Sequence, residues 1–413
     1  MTATDQRCRS AEPDEESAFA EEEVDSTSGR DESASAEDGA RERMEDHEED
    51  LRVSSLLSNR RQMVTMGVVF VLAVASIYFV FPMVVGLDDA LARLGDAEWY
   101  WLVAAVLFNI GAFAAYVALF RGILGGRSDD DLHRRLDVKA SYQITMAGLA
   151  ATRLFSAAGA GGIVLTYWAL RKAGMPRRRS ASRMVAFLVL TYSVYLLSLV
   201  LFGVLLRTGV LPGSAPVGGT IVPAAVAGGV IVLLVLVARI PGDFERRLVA
   251  VTGEGPVARI AGKLASAPAT LATGVRTALD YVGHPSRGAL AVAGAVGFWA
   301  ANIGVLWASF EAFGGDVPFA VLVQGFFLGM AANLIPSPAG GVGSVDAGMI
   351  GAFVLFGVPQ EIVFPAVLTY RVIAFWLPIP PGIVAYFKLR HTVRRWEEER
   401  RYTSKSKVTT EAS

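Results

Sequence analysis

The feature that most constrains this chain is a series of long apolar runs, at 63–86, 99–120, 184–206, 217–238, 288–313 and 362–387. As a helix, a run of about twenty apolar residues crosses the ~30 Å hydrocarbon core of a bilayer. Composition agrees: 53% of residues are hydrophobic and 19% charged, with a mean hydropathy of +0.44. Soluble domains sit nearer 45–50% apolar and about 25% charged. Two further regions are apolar but interrupted. Residues 140–170 contain GLAATRLFSAAGAGG, and residues 317–358 contain NLIPSPAGGVGSVDAG between apolar arms at 317–335 and 345–358. The expected fold is an all-α polytopic membrane protein, with about six full transmembrane helices plus two broken or re-entrant helical hairpins.

Charge sets the expected topology, because short cytoplasmic loops concentrate Lys and Arg. The 121–139 loop has five bases, 171–183 has six, 239–287 has seven and the tail from Lys388 has eight. The 88–98 loop has one Arg against four acids, and 207–216 has a single base. Both termini are therefore expected in the cytoplasm of a multi-pass cell-membrane protein, with Trp99, Tyr100 and Trp101 at the outer interface. Segment 140–170 has basic flanks on both sides and is too short for two crossings, so it reads as a hairpin entered from inside. Segment 317–358 reads as a short crossing pair or a matching hairpin entered from outside. Non-helical backbone at membrane depth survives only where protein or a water-filled cavity covers it.

Residues 1–50 hold nineteen acids and five Arg, a balance of −14, against +13 for the remainder. Such a segment buries too little apolar surface to offset chain entropy. Residues 1–59 are read as a disordered acidic cytoplasmic tail, either simply solvated or a regulatory arm on the basic loops. Residues 60–390 form the transmembrane domain, and 391–413 a C-terminal cytoplasmic tail. Within the domain, 239–287 carries amphipathic stretches that suit an interfacial helix or a cytoplasmic helical hairpin. Cys8 is the sole cysteine and only four histidines occur, without HExxH, Walker A, CxxC or GxSxG patterns. No metal, cofactor, nucleic-acid partner or enzymatic activity is expected, and nothing fixes an oligomeric state.

The interrupted regions echo each other. AGAGGIVLTYWALRKAGMP leads to FLVLTYSVYLL, and SPAGGVGSVDAGMIGAFVLFGVP leads to PAVLTYRVIAF; Gly162 to Leu190 is 28 residues and Gly341 to Leu368 is 27. Each unit is a broken pair, a Gly-x-Pro turn and an LTY-bearing span, a pattern compatible with an inverted repeat. Paired Gly/Pro breaks in corresponding halves point to a binding site near the midplane.

Two arginines lie at depth, Arg153 near the first tip and Arg371 in the last span. Arg at the bilayer centre costs at least ~2.5 kcal/mol, so it faces water or a partner. Its planar fork of donors suits a phosphate. The alternatives are a headgroup grip from both halves, a structural ion pair of Arg371 with Asp346 or Glu361, or snorkelling. Pro336 and Pro338 break the first arm of 317–358. Gly340, Gly341 and Gly343 permit unusual backbone and close ligand approach. A helix starting near Ser344 aims its N-terminus at the break, where an anion is favoured. Asp346 falls in that first turn as a helix stabiliser, a partner of Arg371 or a protonatable group. Asn333 and Tyr370 complete the candidate headgroup set. Gly325-x-x-x-Gly329 could let helices pack closely.

NLIPSPAGGVGSVDAG, then GVP, LTYR, Trp376 and the break Pro378–Gly382 resemble the flippase-like family, also called the lysylphosphatidylglycerol synthetase transmembrane region. Asp346 stands where that family has Glu, and Ala339 where it has Gly. The resemblance implies a stand-alone translocase portion without the synthetase domain. Its cargo would be an anionic or aminoacylated phospholipid or a polyprenyl-linked lipid, with a lipid-synthesising or glycosyltransferase partner possible in the membrane. The competing expectations are an ion-coupled carrier of a small anion, and a non-transporting scaffold for a lipid-modifying enzyme.

Overall fold

The computed structural model describes residues 97–124, 132, 135–154, 160–239, 271–334 and 341–411. The first expected span, 63–86, the acidic tail 1–59 and most of loop 239–287 lie outside them. The described residues are mainly helical, joined by short turns and loops, without a strand. The elements are α1 (Trp99–Leu124), α2 (Val138–Leu154), α3 (Ala160–Ala173), α4 (Arg177–Arg207) and α5 (Val217–Ala238). Next come α6 (Pro285–Glu311), α7 (Phe319–Met330) with a 3-10 turn at Ala331–Leu334, and α8 (Ser344–Leu355). Finally α9 (Gln360–Arg371) runs through a π-type turn at Val372–Trp376 toward α10 (Ile379–Glu411).

Five stretches are long and apolar enough to cross a membrane: Trp99–Leu124, Arg179–Arg207, Val217–Ala238, Gly288–Glu311 and Gln360–Glu399. They match the five expected spans that fall on described residues. The last differs at its end. The apolar run stops near 387, yet α10 continues without a break to Glu411, so the boundary expected at 390–391 lies inside one helix. Tertiary packing carries it on: Leu389, Val393 and Trp396 are buried, Thr392 donates to Gln143 Oε1 at 2.8 Å, and Lys172 pairs with Glu397 at 2.9 Å.

The interrupted regions are two helical hairpins, α2–α3 and α7–α8. At 1.5 Å per residue, their arms of 17, 14, 12 and 12 residues reach only about 26, 21, 18 and 18 Å, short of a ~30 Å core. Each hairpin closes on glycine: Gly148 meets Gly162, and Gly329 meets Gly348. The Gly325-x-x-x-Gly329 face of α7 receives Phe353 and Met349 of α8, so this motif serves contacts within the chain.

The hairpins occupy opposite ends of the bundle. One core gathers the Trp299–Phe310 half of α6 with α7, α8, α9 and Leu199 and Leu206 of α4. The other gathers α2, α3, the Leu119–Leu124 end of α1, Met184–Leu190 of α4 and Leu389–Trp396 of α10. Packing is reciprocal: α2 lies along α10, which follows the second hairpin, while α7 lies along α4, which follows the first.

Prolines inside spans leave carbonyls without donors, and in a bilayer another side chain must supply one. Pro223 in α5 removes the donor that Gly219 would receive, and buried Gln324 of α7 donates to that carbonyl at 2.9 Å. The same logic, on a larger scale, builds the site below.

Candidate functional site

The second hairpin turns on glycine. Gly341 and Gly343 have φ of +92° and +87°, a region closed to most side chains. Starting α8 at Ser344 leaves its first N–H groups aimed at the turn. Asp346, in the first helical turn, accepts the Gly343 N–H at 2.9 Å through Oδ2. This closes one orphan donor, and the helix dipole favours the charge there. Its Oδ1 lies 2.6 Å from Nε of Arg371. That approach lacks hydrogen-bond directionality, so the contact is an ion pair rather than a directed bond. Arg371 also donates from Nη2 to the Gly341 carbonyl at 3.1 Å. Only 5% exposed, it fastens the last span to the tip of the second hairpin.

One residue later the helix changes. Leu377 N–H bonds to Val372 O at 3.0 Å, an i→i+5 step. Pro378 then offers no donor to Ala374 at i+4 or to Ile373 at i+5, and Pro380 none to Phe375 at i+5. The Ile373, Ala374 and Phe375 carbonyls take their partners from other elements. Asn109 of α1, itself buried, donates to Ile373 O at 2.9 Å. Arg153, in the last turn of α2, donates from Nη2 to Ala374 O at 3.0 Å and from Nη1 to Phe375 O at 2.7 Å. Both guanidiniums rest against the Phe375 ring, Arg371 at 4.4 Å and Arg153 at 5.0 Å from its centroid. The π-type turn is therefore a node where both hairpin tips and the first described span converge.

Of the candidate residues, the structure gathers Arg371, Arg153, Asp346, Gly341 and Gly343 here. Asn333 adjoins, since a Cβ on Gly341 would sit 2.7 Å from its Oδ1. Ser344 is the first residue of α8, half-buried. Tyr370 is buried in the core against the edge of Phe326, with ring centroids 5.8 Å apart. Pro336, Pro338 and Gly340 lie outside the described residues. Of the sequence alternatives, Arg371 takes Asp346 rather than Glu361 as its ion-pair partner. Sequence reasoning missed Asn109 and Phe375. Their signal was the Pro-x-Pro-Pro run, which strips donors from carbonyls three to five positions upstream, and a lone amide in an apolar span.

The charge does not cancel. Across the apolar runs and interrupted segments, the charged side chains are Arg153, Arg371, Asp346 and, at a span end, Glu311. The node thus carries two guanidiniums and one carboxylate. A separate cavity of about 420 Å³ is apolar, bordered by Val194, Phe202, Trp299, Trp307, Phe319 and Phe327, and touches none of the node residues.

A family model described as the lysylphosphatidylglycerol synthase TM region matches residues 64–382. Two stretches resemble proteins described as "UPF0104 membrane protein" from Methanothermobacter thermautotrophicus. One is 33% identical over 79 residues, covering 19% of this chain and 24% of the relative. The other is 32% identical over 87 residues, covering 21% and 26%. The matched stretches thus span roughly a quarter of those relatives, whereas the family model covers most of this chain. The matched region takes in both hairpins, the node and four of the five long apolar helices entire, and it places the chain in the lysylphosphatidylglycerol synthase transmembrane-region family.

Proposed function

We propose that this membrane protein moves an anionic phospholipid or polyprenyl-linked lipid between leaflets, acting as a carrier rather than an enzyme. The observation that carries this reading is the uncancelled positive charge at the node. In a low-dielectric setting an unbalanced guanidinium is costly, and a phosphate that approaches it is held strongly. Arg371 would present its fork to the phosphate, and Arg153, against the same ring, adds to the field. Asp346 serves as the resident counter-ion when no lipid is present. Because Arg371 is 5% exposed, loading requires the Gly341–Gly343 turn to swing away, exchanging one anion for another. Lipid tails would stay in the bilayer. The protein acts in the cell membrane with both termini cytoplasmic, and a lipid-synthesising or glycosyl-transferring enzyme is a fitting neighbour.

The test is translocation of fluorescent phosphatidylglycerol and of a polyprenyl phosphate in liposomes holding purified protein. Acceleration by wild type and its loss in Arg371→Ala are expected. If neither lipid moves faster than in empty liposomes, the reading fails. The Asp346–Arg371 contact also suits a proton-coupled carrier of a small soluble anion. That reading requires uptake that follows a pH gradient and is lost in Asp346→Asn.

A further inference from the structure

We propose that the Arg153 guanidinium is a tethered cation. It fills an acceptor site, formed by the Ala374 and Phe375 carbonyls beside the Phe375 ring, whose chemistry is that of a monovalent-cation site. Where a membrane carrier breaks a helix near the midplane, the unwound carbonyls lose their N–H partners and become ligands for a coupling ion. The π-type turn has a similar defect, since Pro378 and Pro380 withdraw all but the Ile379 N–H from the donors four and five positions beyond Ile373, Ala374 and Phe375 that remain after Leu377 bonds Val372. Of the three exposed carbonyls, Ile373 is closed by the neutral amide of Asn109. The other two converge on one charged group, at 2.7 and 3.0 Å. Ring and carbonyls together favour a cation: the aromatic face is 5.0 Å from the guanidinium carbon. Among the described residues no carboxylate pairs with Arg153, so oxygen dipoles and a π face serve as its counter-charge.

The cation arrives on α2, from a different hairpin. It therefore does mechanically what a bound ion would do, tying the first hairpin to the last span. It is also loaded whatever the ionic composition of the medium, because Arg stays protonated. Arg371 differs although it shares the ring: its partners are a carboxylate and the carbonyl of the glycine turn, not the node carbonyls. Site and tethered cation are independent of what the protein carries.

The experiment follows thermal unfolding of the purified full chain in detergent, at equal ionic strength in sodium, potassium or choline chloride, with and without millimolar guanidinium. Wild type should melt at one temperature in all of them. Arg153→Ala should melt about 5 °C lower in choline and recover at least half of that loss with guanidinium or sodium, while Arg371→Ala should show no such recovery. Arg153→Lys, which keeps a charge but loses the fork, should fall between and remain indifferent to the salt. An Arg153→Ala deficit identical in every cation would reduce Arg153 to an ordinary hydrogen-bond clamp and overturn the proposal. So would a wild type stabilised by sodium over choline, a result that stays readable even if Arg153→Ala does not fold.

Discussion

The two hairpins have the same shape and are fastened in different ways. The first, α2–α3, is tied to the node by Arg153 bonding to backbone carbonyls. The second, α7–α8, is tied by a charge pair between Asp346 and Arg371, with one further bond to Gly341 O. The Ala374 and Phe375 carbonyls take Arg153 as their donor, so the first fastening rests on backbone oxygens. A carboxylate paired with a guanidinium can be replaced by another anion. The contrast teaches that one hairpin is held through backbone oxygens and the other through a side-chain charge.

The comparison breaks most directly at Asp346. Asp346→Ala strands a nearly buried guanidinium, which should cost about 3 kcal/mol, read as a lowered unfolding midpoint. The double variant Asp346→Ala/Arg371→Leu should regain part of that loss. If the single variant is as stable as wild type, charge does not hold the second hairpin.

Next are the glycine closures, where the hairpins should behave alike. A Cβ at Gly162 would lie 2.1 Å from Thr152 Oγ1 and 2.5 Å from Gly148 O; one at Gly348 would lie 2.5 Å from Ala332 Cβ and 2.9 Å from Gly329 O. Overpacking of this kind costs about 2 kcal/mol, so Gly162→Ala and Gly348→Ala should lower the midpoint similarly. A hairpin that tolerates its substitution is more loosely closed than its twin.

Asn109→Ala leaves Ile373 O without its donor, an expected loss of about 1–2 kcal/mol. This deficit should not change with pH, since neither partner titrates. Smallest is the pair between Lys172 and Glu397, whose side chains are 21% and 38% exposed. Glu397→Gln should cost less than about 1 kcal/mol, and molar salt should erase the difference. A larger effect would mean that the α10 extension fixes the first hairpin.

Much of the fold was legible because hydrocarbon imposes one rule on every span. Length and apolarity located α1, α4, α5, α6 and the last span, and Gly and Pro located both hairpins. The end of α10 was not legible: beyond 387 the sequence turns polar, and Leu389, Val393 and Trp396 are buried only because α2 and α3 lie beside them. At the site, Arg153, Arg371 and Asp346 were visible as charges at depth. Asn109 and Phe375 were not singled out: the Pro-x-Pro-Pro run and an amide in an apolar span mark an unmet donor need, but not which residues meet it.

By itself the sequence determined that this chain crosses a membrane several times, that two of its segments break, and that positive charge exceeds negative at depth. Those follow from local chemistry: residue transfer cost, proline's missing N–H and the count of ionised groups. Only tertiary structure decided that both breaks meet at one π-type turn, and that Arg153 takes carbonyls while Arg371 takes a carboxylate. Partners separated by 25 to more than 200 residues are chosen by helix packing, which no local pattern encodes.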